Sequence, residues 1–388
     1  MAENFSNSIK YIGVDDLDID LFEGQYKVPE GMSYNSYIIL DEKVAVMDTV
    51  DARKTDEWLN NLQKELGART PDILVVQHME PDHAGSITAF TEKYPNAQLY
   101  CTAQAVKMFA QFFEDVDFNG KLNTVKEGDT LALGQHTLTF IMAPMIHWPE
   151  VMVTYEQSEK VLFAADAFGK FGALCKYDGD WACEARRYYF NIVGKYGVQV
   201  QNLLKKASTI DIKTICPLHG PILSENLGYY LGLYDTWSKY EPENEGVLVA
   251  YASFHGGTAD AAKKMAEILK AKGAKKVAIA DLNRDDMHEA VEDAFRYNAM
   301  VLAAPTYDGN MAPAMHDFLH HLQLKTYQKR RVGIIENGSW APVSGRIMRA
   351  MLEEMKNIEI VDTVVTIKSR MKKADVANLE LLADAILK

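Results

Sequence analysis

Apolar runs that end in polar, metal-binding side chains mark the first part of the chain. The earliest is Ile73-Leu74-Val75-Val76-Gln77, a short β-branched run that predicts a buried strand. It leads directly into His78-Met79-Glu80-Pro81-Asp82-His83. In extended backbone His78, Glu80 and Asp82 share one face, because side chains alternate along a strand. This stretch therefore places two imidazoles and two carboxylates at the end of one strand.

Three later apolar runs end in the same way. Phe140–Met145 leads to His147, Val161–Ala165 leads to Asp166, and Ile215–Leu218 leads to His219. A single His after a strand is usually an ordinary loop or core residue, but the repetition predicts one metal site. Imidazole and carboxylate without thiolate suit iron, zinc or manganese. The predicted ligands are His78, Glu80, Asp82, His83, His147, Asp166 and His219. The competing interpretation is a polar loop in which Asp82 or Ser86 caps a helix.

The pattern changes near Glu241–Gly246, where Pro, Gly and acidic residues indicate a linker. Beyond it strands and helices alternate for about 140 residues, which is typical of a doubly wound parallel sheet. Predicted strands are Val247–Tyr251, Lys276–Ala280, Ala299–Ala303, Val332–Ile335 and Glu359–Val364, and predicted helices are Thr258–Ala271, Asp286–Phe295, Pro313–Leu322, Ser344–Met355 and Asp375–Leu387.

The part before the linker predicts a different architecture. Antiparallel strands are expected over Tyr26–Asp48, and strand-like runs dominate Leu122–Leu162. Helices are expected at Ala52–Leu66, Ala103–Phe113 and Ala182–Lys206. Two domains follow, 1–244 and 245–388, since single cores seldom grow past about 250 to 300 residues.

Three loops at the carboxyl ends of the C-terminal strands predict a flavin site. Small residues and glycines let backbone N–H groups approach a phosphate, and aromatic residues offer faces to a flat ring. The first loop has neither the lysine of a P-loop nor a Gly-x-Gly-x-x-Gly pattern. Together the loops resemble the three FMN loops of flavodoxins. The predicted contacts are Ser253, Phe254, His255, Gly256, Gly257 and Thr258; Pro305, Thr306, Tyr307, Asp308, Gly309 and Asn310; and Glu336, Asn337, Gly338, Ser339, Trp340 and Ala341.

The His-x-Glu-x-Asp-His motif, followed by the later His, Asp and His, resembles the flavodiiron proteins, the A-type flavoproteins that include rubredoxin:oxygen and nitric oxide reductases. The resemblance implies an N-terminal metallo-β-lactamase-like αββα sandwich (α+β) followed by a C-terminal flavodoxin-like sheet (α/β). It also implies two iron ions joined by an oxo or hydroxo bridge. His78, Glu80 and His147 would hold one iron, Asp82 and His219 the other, and Asp166 would bridge them. The role of His83 stays open.

The same resemblance implies an activity and partners. FMN would pass electrons from rubredoxin or a similar donor to the di-iron site, which would reduce O2 to water and/or NO to N2O. A head-to-tail homodimer, or a homotetramer, would bring flavin and iron together. Two alternatives remain open from the sequence. One is a metal-dependent hydrolase with a fused flavodoxin-like domain, and the other is a non-enzymatic electron carrier or redox sensor.

Composition excludes several other classes. The net charge of −13 argues against a nucleic-acid partner, and no apolar run is long enough to span a membrane. Four cysteines without a Cys-x-x-Cys pair argue against a rubredoxin module within these residues and favour a reducing cytoplasm. The polar start, Met1–Lys10, does not resemble a signal peptide. Basic clusters at 325–331 and 368–373 are interpreted as solvated faces that an acidic electron donor could use.

Overall fold

A computed structural model describes residues 6–388, so half of the N-terminal stretch considered above lies outside the described residues. The chain forms two compact units. The first runs to Tyr189 and resumes over Val198–Tyr234, and the second comprises Phe190–Gly197 and Asp235–Lys388. As domain limits, 1–244 and 245–388 stay a prediction. No helix among the described residues is long and apolar enough to cross a membrane.

The first unit is built on two sheets. Its strands are β1 (Ile9–Tyr11), β2 (Val14–Asp16), β3 (Leu21–Phe22), β4 (Tyr26–Lys27), β5 (Met32–Tyr34), β6 (Tyr37–Ile39), β7 (Ala45–Met47), β8 (Ile73–Val75), β9 (Gln98–Thr102), β10 (Leu122–Val125), β11 (Thr130–Ala132), β12 (Thr137–Met142), β13 (Met152–Glu156), β14 (Val161–Phe163) and β15 (Thr214–Cys216). One sheet has the order β1-β6-β7-β8-β9-β10 and the other the order β11-β12-β13-β14-β15.

The two sheets contain parallel as well as antiparallel strand pairs. β7, β8, β9 and β10 pair in parallel, as do β14 and β15. Parallel neighbours need a crossover connection, and the helices between these strands supply it. The first unit is therefore a sandwich of two mixed sheets, in which the antiparallel pairs are β1-β6, β6-β7 and those from β11 to β14.

The helices up to the second unit are α1 (Thr55–Leu66), α2 (Pro81–Ala84), α3 (Ile87–Lys93), α4 (Ala103–Phe112), α5 (Ala182–Tyr188), α6 (Gly197–Ala207) and α7 (Leu227–Ser238). The helix predicted over Ala182–Lys206 is not continuous. A π turn at Tyr189–Val193 and a 3-10 turn at Gly194–Tyr196 separate α5 from α6. The sequence of this stretch predicted a helix but contained no sign of the interruption.

An apolar core fills the space between the two sheets. Met47 and Val75 come from the first sheet, and Phe140, Met152 and Phe163 come from the second. All are at most 1% exposed, so their burial supplies the main driving force that holds the sandwich together. This packing fixes the ends of β8, β12, β14 and β15, where the predicted metal ligands follow.

The second unit is a parallel sheet flanked by helices, as predicted. Its strands are β16 (Asn244–Tyr251), β17 (Val277–Asp281), β18 (Tyr297–Tyr307), β19 (Asn310–Met311), β20 (Arg331–Asn337) and β21 (Glu359–Ile367), and its helices are α8 (Gly257–Ala271), α9 (Met287–Arg296), α10 (Pro313–Leu324), α11 (Ser344–Glu353) and α12 (Lys373–Ile386). The order β17-β16-β18-β20-β21 is the flavodoxin order, with its topological switch between β16 and β18.

Local signals account for the positions of these helices. The Asp286 side chain accepts the N–H of His288 and caps α9, while Pro313 occupies the first turn of α10, where its missing N–H costs nothing. Buried Ala261, Met265 and Leu269 of α8 recur at helical spacing and pack on the sheet. Strand ends and helix starts therefore converge at the carboxyl edge of the sheet.

Candidate metal centre and flavin site

The structure brings all seven predicted ligands together as two adjacent groups. His78, Glu80, His147 and Asp166 form the first group, and Asp82, His83 and His219 form the second. Within each group one nitrogen or oxygen atom from every residue lies within 4.8 Å of the others. Residues far apart in sequence meet here because their strands end at the same edge of the sandwich.

Asp166 lies between the two groups and presents one carboxylate oxygen to each. Its Oδ2 lies 3.2 Å from Nε2 of His78 and 3.1 Å from Nε2 of His147. Its Oδ1 lies 3.2 Å from Nε2 of His83 and 3.7 Å from Nε2 of His219. A carboxylate in this position can bind two metal ions at once.

Hydrogen bonds behind two of the rings fix which nitrogen faces the centre. Nδ1 of His78 donates to Oε1 of Glu150 at 2.8 Å, and Nδ1 of His219 donates to the carbonyl of Ser33 at 2.7 Å. The Nε2 atom of each ring is therefore left for a metal. Such partners of metal-binding histidines set the tautomer and orient the ring. Glu150 and Ser33 were not predicted from the sequence.

Unpaired polar atoms within the cluster fit a bound cation. Both side-chain oxygens of Asp82 and of Asp166, together with Nε2 of His147, are buried without a hydrogen bond to any residue in 6–388. Nε2 of His83 and Nε2 of His219 face each other at 3.1 Å. Buried carboxylates and imidazole nitrogens in this arrangement require positive charge between them.

The electrostatics of the site point the same way. Burial alone would raise the pKa of Asp166, but the imidazoles of His78 and His83 outweigh it and hold the pKa well below its ordinary value. Burial alone would lower the pKa of His147, but the nearby carboxylates of Asp166 and Glu80 raise it to about 9. The site therefore stabilises positive charge, and its N/O donor set fits iron.

The competing interpretation of this loop as a helix cap fails on geometry. The residue that precedes α2 is Glu80 and the one that precedes α3 is Ser86, and neither side chain makes a capping hydrogen bond. The Ser86 hydroxyl instead bonds the Thr55 hydroxyl at 2.8 Å. Asp82 lies inside α2, with its carboxylate 3.2 Å from Nε2 of His219.

Aromatic rings shield the cluster from water. Trp148 lies edge-on to His78, with ring centroids 5.3 Å apart, and Tyr188 lies 5.5 Å from His219. Tyr188 is fully buried, so it is both a core residue and a neighbour of the centre. The hydroxyl of Tyr189 is also buried.

A cavity of about 800 Å³ opens at the carboxyl edge of the second unit's sheet. Most of the predicted flavin contacts line it: Ser253, Phe254, His255, Gly257, Thr258, Pro305, Thr306, Tyr307, Asp308, Gly309, Asn337, Gly338, Ser339, Trp340 and Ala341. Trp340 is 93% exposed and Tyr307 47%, so both aromatic faces are available to a ligand. The rings of Phe254 and Tyr307 meet edge to face at 5.2 Å.

Three predicted contacts are not among the described residues that line the cavity: Gly256, Asn310 and Glu336. Gly256 instead adopts a left-handed conformation that lets α8 begin. Asn310 pairs back on Tyr307 in the β18–β19 hairpin. The Glu336 carboxylate accepts the N–H of Gly345 and the hydroxyl of Thr366, which ties it to α11 and β21.

A fourth loop, after β21, also lines the cavity through Ser369 and Arg370. Asn337 joins this loop to the others, because its amide donates to the Ser369 carbonyl and to the Thr258 hydroxyl. A Cβ at Gly257 would lie 2.2 Å from the Ser369 carbonyl oxygen. Glycine is therefore required where α8 begins. The cavity has glycine-rich phosphate loops and exposed aromatic faces, which fit FMN.

Comparison with known proteins gives these two sites a common context. Residues 32–220 match the family described as ODP family beta lactamase, and residues 248–369 match a flavodoxin domain. The nitric oxide reductase of Moorella thermoacetica is 30% identical over 366 residues, covering 92% of this chain and 90% of that protein. The chain belongs to the flavodiiron protein family.

Two further flavodiiron relatives agree. The anaerobic nitric oxide reductase flavorubredoxin of Vibrio vulnificus is 29% identical over 351 residues, which cover 88% of this chain and 70% of that protein. The solved structure of rubredoxin oxygen:oxidoreductase from Desulfovibrio gigas superposes with a TM-score of 0.93 at 26% identity, covering 100% of this chain and 98% of that one. The predicted sandwich and flavodoxin-like sheet are confirmed.

As a flavodiiron protein the chain is an oxidoreductase, with FMN in the flavodoxin domain and a di-iron site in the lactamase-like domain. Membership of this family argues against the two alternatives that the sequence had left open, a metal-dependent hydrolase and a non-enzymatic electron carrier or redox sensor. The ligand and contact assignments of individual residues stay predictions that the geometry above makes specific.

One surface interpretation of the flavodoxin domain needs correction. Arg330 is only 2% exposed and donates to the carbonyls of Tyr297, Tyr240 and Phe295, so it is a structural residue. The 325–331 cluster ends at the first residue of β20, at the amino edge of the sheet, away from the flavin cavity. The 368–373 cluster follows β21 at the carboxyl edge, beside that cavity.

Proposed function

We propose that this flavodiiron protein reduces O2 to water and/or NO to N2O at the seven-residue centre, with electrons supplied through FMN. The observation that carries the proposal is the position of Asp166, whose two oxygens face the two ligand groups. That arrangement suits two metal ions held side by side, which could together bind and orient O2 or a pair of NO molecules.

His78, Glu80 and His147 would hold one iron, and Asp82, His83 and His219 the other, with Asp166 bridging. The distances from Nε2 of His83 to Asp82, 3.3 Å, and to Asp166, 3.2 Å, support His83 as a ligand. Three carboxylates nearly balance the charge of two divalent ions. When bound, the irons would supply electrons and Lewis acidity to the gas.

The chain's own residues prepare that chemistry. Glu150 and Ser33 hold the rings of His78 and His219 so that Nε2 points inward. Asp166, His83 and His219 are fully buried, and Tyr188 and Trp148 pack on the rings, which excludes bulk water and strengthens electrostatic interactions. The residues thus fix position and charge before the gas arrives.

In the flavodoxin domain the loops after β16, β18, β20 and β21 would hold FMN. Ser253 and Thr258, at the start of α8, would face the phosphate, since helix N-termini favour anions. Tyr307 and Trp340 would flank the isoalloxazine ring. Asn337 would keep the first and last loops at a fixed spacing.

We also propose an external, rubredoxin-like donor, a head-to-tail homodimer (or a homotetramer built from it) and a cytoplasmic location. Family membership supports both the donor and the dimer. The dimer would also provide an electron route between a flavin and a di-iron site that lie in separate domains. The location is supported by the cysteines at 101, 175, 183 and 216, none of which forms a disulfide.

The variant Asp166→Ala tests the proposal. It removes the one carboxylate positioned to reach both ligand groups, so O2 and NO reduction should be lost while FMN content and the far-ultraviolet spectrum stay unchanged. Exposed Asp211→Ala is the control, since Asp211 pairs with Lys160 away from the centre. Wild-type gas turnover in Asp166→Ala would contradict the proposed bridge.

A further inference from the structure

Helix α10 carries a second group of His and Asp side chains, in the other domain from the seven-residue centre. It contains His316-Asp317-Phe318-Leu319-His320. His316 and His320 are four residues apart, so their imidazoles lie one above the other on the same helix face. Two histidines at this spacing on a helix are a known arrangement for chelating zinc.

Packing of the helix holds this face towards solvent. Met315, Phe318, Leu319 and Leu322 are all fully buried and anchor α10 from its opposite side. His316 and His320 are exposed, and neither ring makes a hydrogen bond or ion pair with any of residues 6–388. Both imidazoles are therefore accessible, on a backbone that is already rigid.

A carboxylate completes the set of donors. Asp317 stands next to His316 and three residues before His320, and its side chain is 60% exposed. Its Oδ1 lies 3.8 Å from Nε2 of His321, which is too long for a hydrogen bond, so the carboxylate keeps free oxygen lone pairs. Three donors thus line one exposed side of two helical turns.

We propose that His316 and His320 bind one late first-row divalent ion of the zinc, nickel or copper class, with Asp317 as the third ligand and water completing the shell. Imidazole pairs bind these ions more tightly than Fe²⁺. The buried centre has three carboxylates and suits iron. The exposed imidazole pair on α10 suits iron less well than the later divalent ions. The two sites would therefore hold different metals, and the inference is independent of the gas reductase activity.

The preference of the two sites for different metals has a practical consequence. Zinc found in purified protein would come first from α10, even when the buried centre is filled with iron. The metal content measured on the whole chain would then include the zinc bound at α10, and would not by itself identify the metal in the buried centre.

The experiment is a Zn²⁺ titration of the iron-reconstituted, FMN-loaded full-length protein against a chromophoric chelator. Wild type should take up one zinc equivalent that His316→Gln/His320→Gln does not, while iron and FMN contents are the same in both. Asp317→Asn should weaken that equivalent without abolishing it.

Moving the histidine pair along the helix distinguishes chelation by the i, i+4 geometry from non-specific zinc binding at the protein surface. Leu324 is 49% exposed and lies four residues after His320, so His316→Gln/Leu324→His rebuilds the i, i+4 pair one turn later. This variant should recover the zinc equivalent that His316→Gln alone loses. The proposal is overturned if wild type takes up no additional zinc, if the double glutamine variant binds it with unchanged affinity, or if the relocated pair recovers nothing.

Discussion

Glu150 holds the imidazole of His78 from behind the metal centre, with Oε1 at 2.8 Å from Nδ1. The same oxygen accepts the N–H of Met79 at 2.9 Å, and Glu150 is 1% exposed. A buried carboxylate thus fixes both the tautomer of a predicted ligand and the backbone that carries it. No hydrophobic pattern announces this role, because the two residues lie 72 positions apart in the chain.

The first prediction follows from that contact. Glu150→Gln keeps the size of the side chain but weakens the hydrogen bond that orients His78. Loss of such a partner typically costs about 10- to 100-fold in metal affinity. Chelator competition on iron-loaded protein should show this loss, with FMN content unchanged. Glu127→Gln, a change at an exposed residue that pairs with Lys206, is the control. Equal iron affinities in the two variants would show that Glu150 does not position the ligand.

The flavin loops give a second prediction. A methyl group at Gly257 would lie 2.2 Å from the Ser369 carbonyl, so Gly257→Ala must separate the first loop from the fourth. FMN affinity should fall while the lactamase-like domain keeps its iron. Gly228→Ala is the matched control, because a Cβ there has no described neighbour within 4 Å. Fluorescence titration of FMN into the flavin-free protein measures the FMN affinity of both variants. Unchanged FMN affinity in Gly257→Ala would show that this loop does not contribute to the flavin site.

A third prediction concerns a buried pair outside both sites. The Asp41 carboxylate accepts from both Nδ1 and the backbone N–H of His136, at 2.7 and 2.6 Å. Burial alone would lower the pKa of His136, but hydrogen bonds with Asp41 and Glu159 outweigh it and raise the pKa. A raised folded-state pKa contributes stability that is complete below the unfolded pKa of about 6.5 and is lost as the pH rises through the folded value.

His136→Gln should therefore lower the thermal midpoint of the lactamase-like domain more at about pH 5.5 than at about pH 8.5. The expected loss at the lower pH corresponds to about 1 kcal/mol, a typical net hydrogen-bond contribution. Thermal unfolding followed by circular dichroism at the two pH values measures it. A larger loss at the higher pH would show that the pair acts through something other than the charge on His136.

The fourth prediction concerns the electron donor. Lys368, Lys373 and Arg370 are exposed beside the flavin cavity, so an acidic donor should reduce FMN more slowly as ionic strength rises. Lys368→Glu/Lys373→Glu should lower the second-order rate at low salt, measured by stopped-flow absorbance. Lys329→Gln/Arg331→Gln, at the amino edge of the sheet, should not. Similar slowing by both pairs would place the docking surface elsewhere.

Particular residues show where sequence reasoning succeeds and where it stops. The seven residues that the structure brings together could be picked out because they follow short apolar strands, a local pattern that marks its own position. The strands of the flavodoxin domain were found for the same reason. Ser369 and Arg370 were missed because the last strand was expected to end at Val364, whereas β21 continues to Ile367.

Other features depend on contacts that local patterns do not encode. Arg330 belongs to a run of basic residues and was interpreted as exposed. It is instead buried, and its guanidinium donates to three backbone carbonyls from distant parts of the chain. The parallel pairing of β7 to β10 follows from crossover helices rather than from alternation within each strand. Glu150 belongs to the same class, since only the folded chain brings it to His78.

The central claim is that FMN delivers electrons to a di-iron centre that reduces O2 and/or NO. The most direct measurement is stopped-flow mixing of anaerobically reduced protein with each gas in turn, with product analysis for water against peroxide and for N2O. Wild type should reoxidise its flavin rapidly with at least one gas and form water or N2O. His219→Ala, which should keep FMN but lose iron, should reoxidise slowly. If the two proteins reoxidise at the same rate with both gases and yield only peroxide from O2, electrons do not pass through the metal centre and the account is wrong.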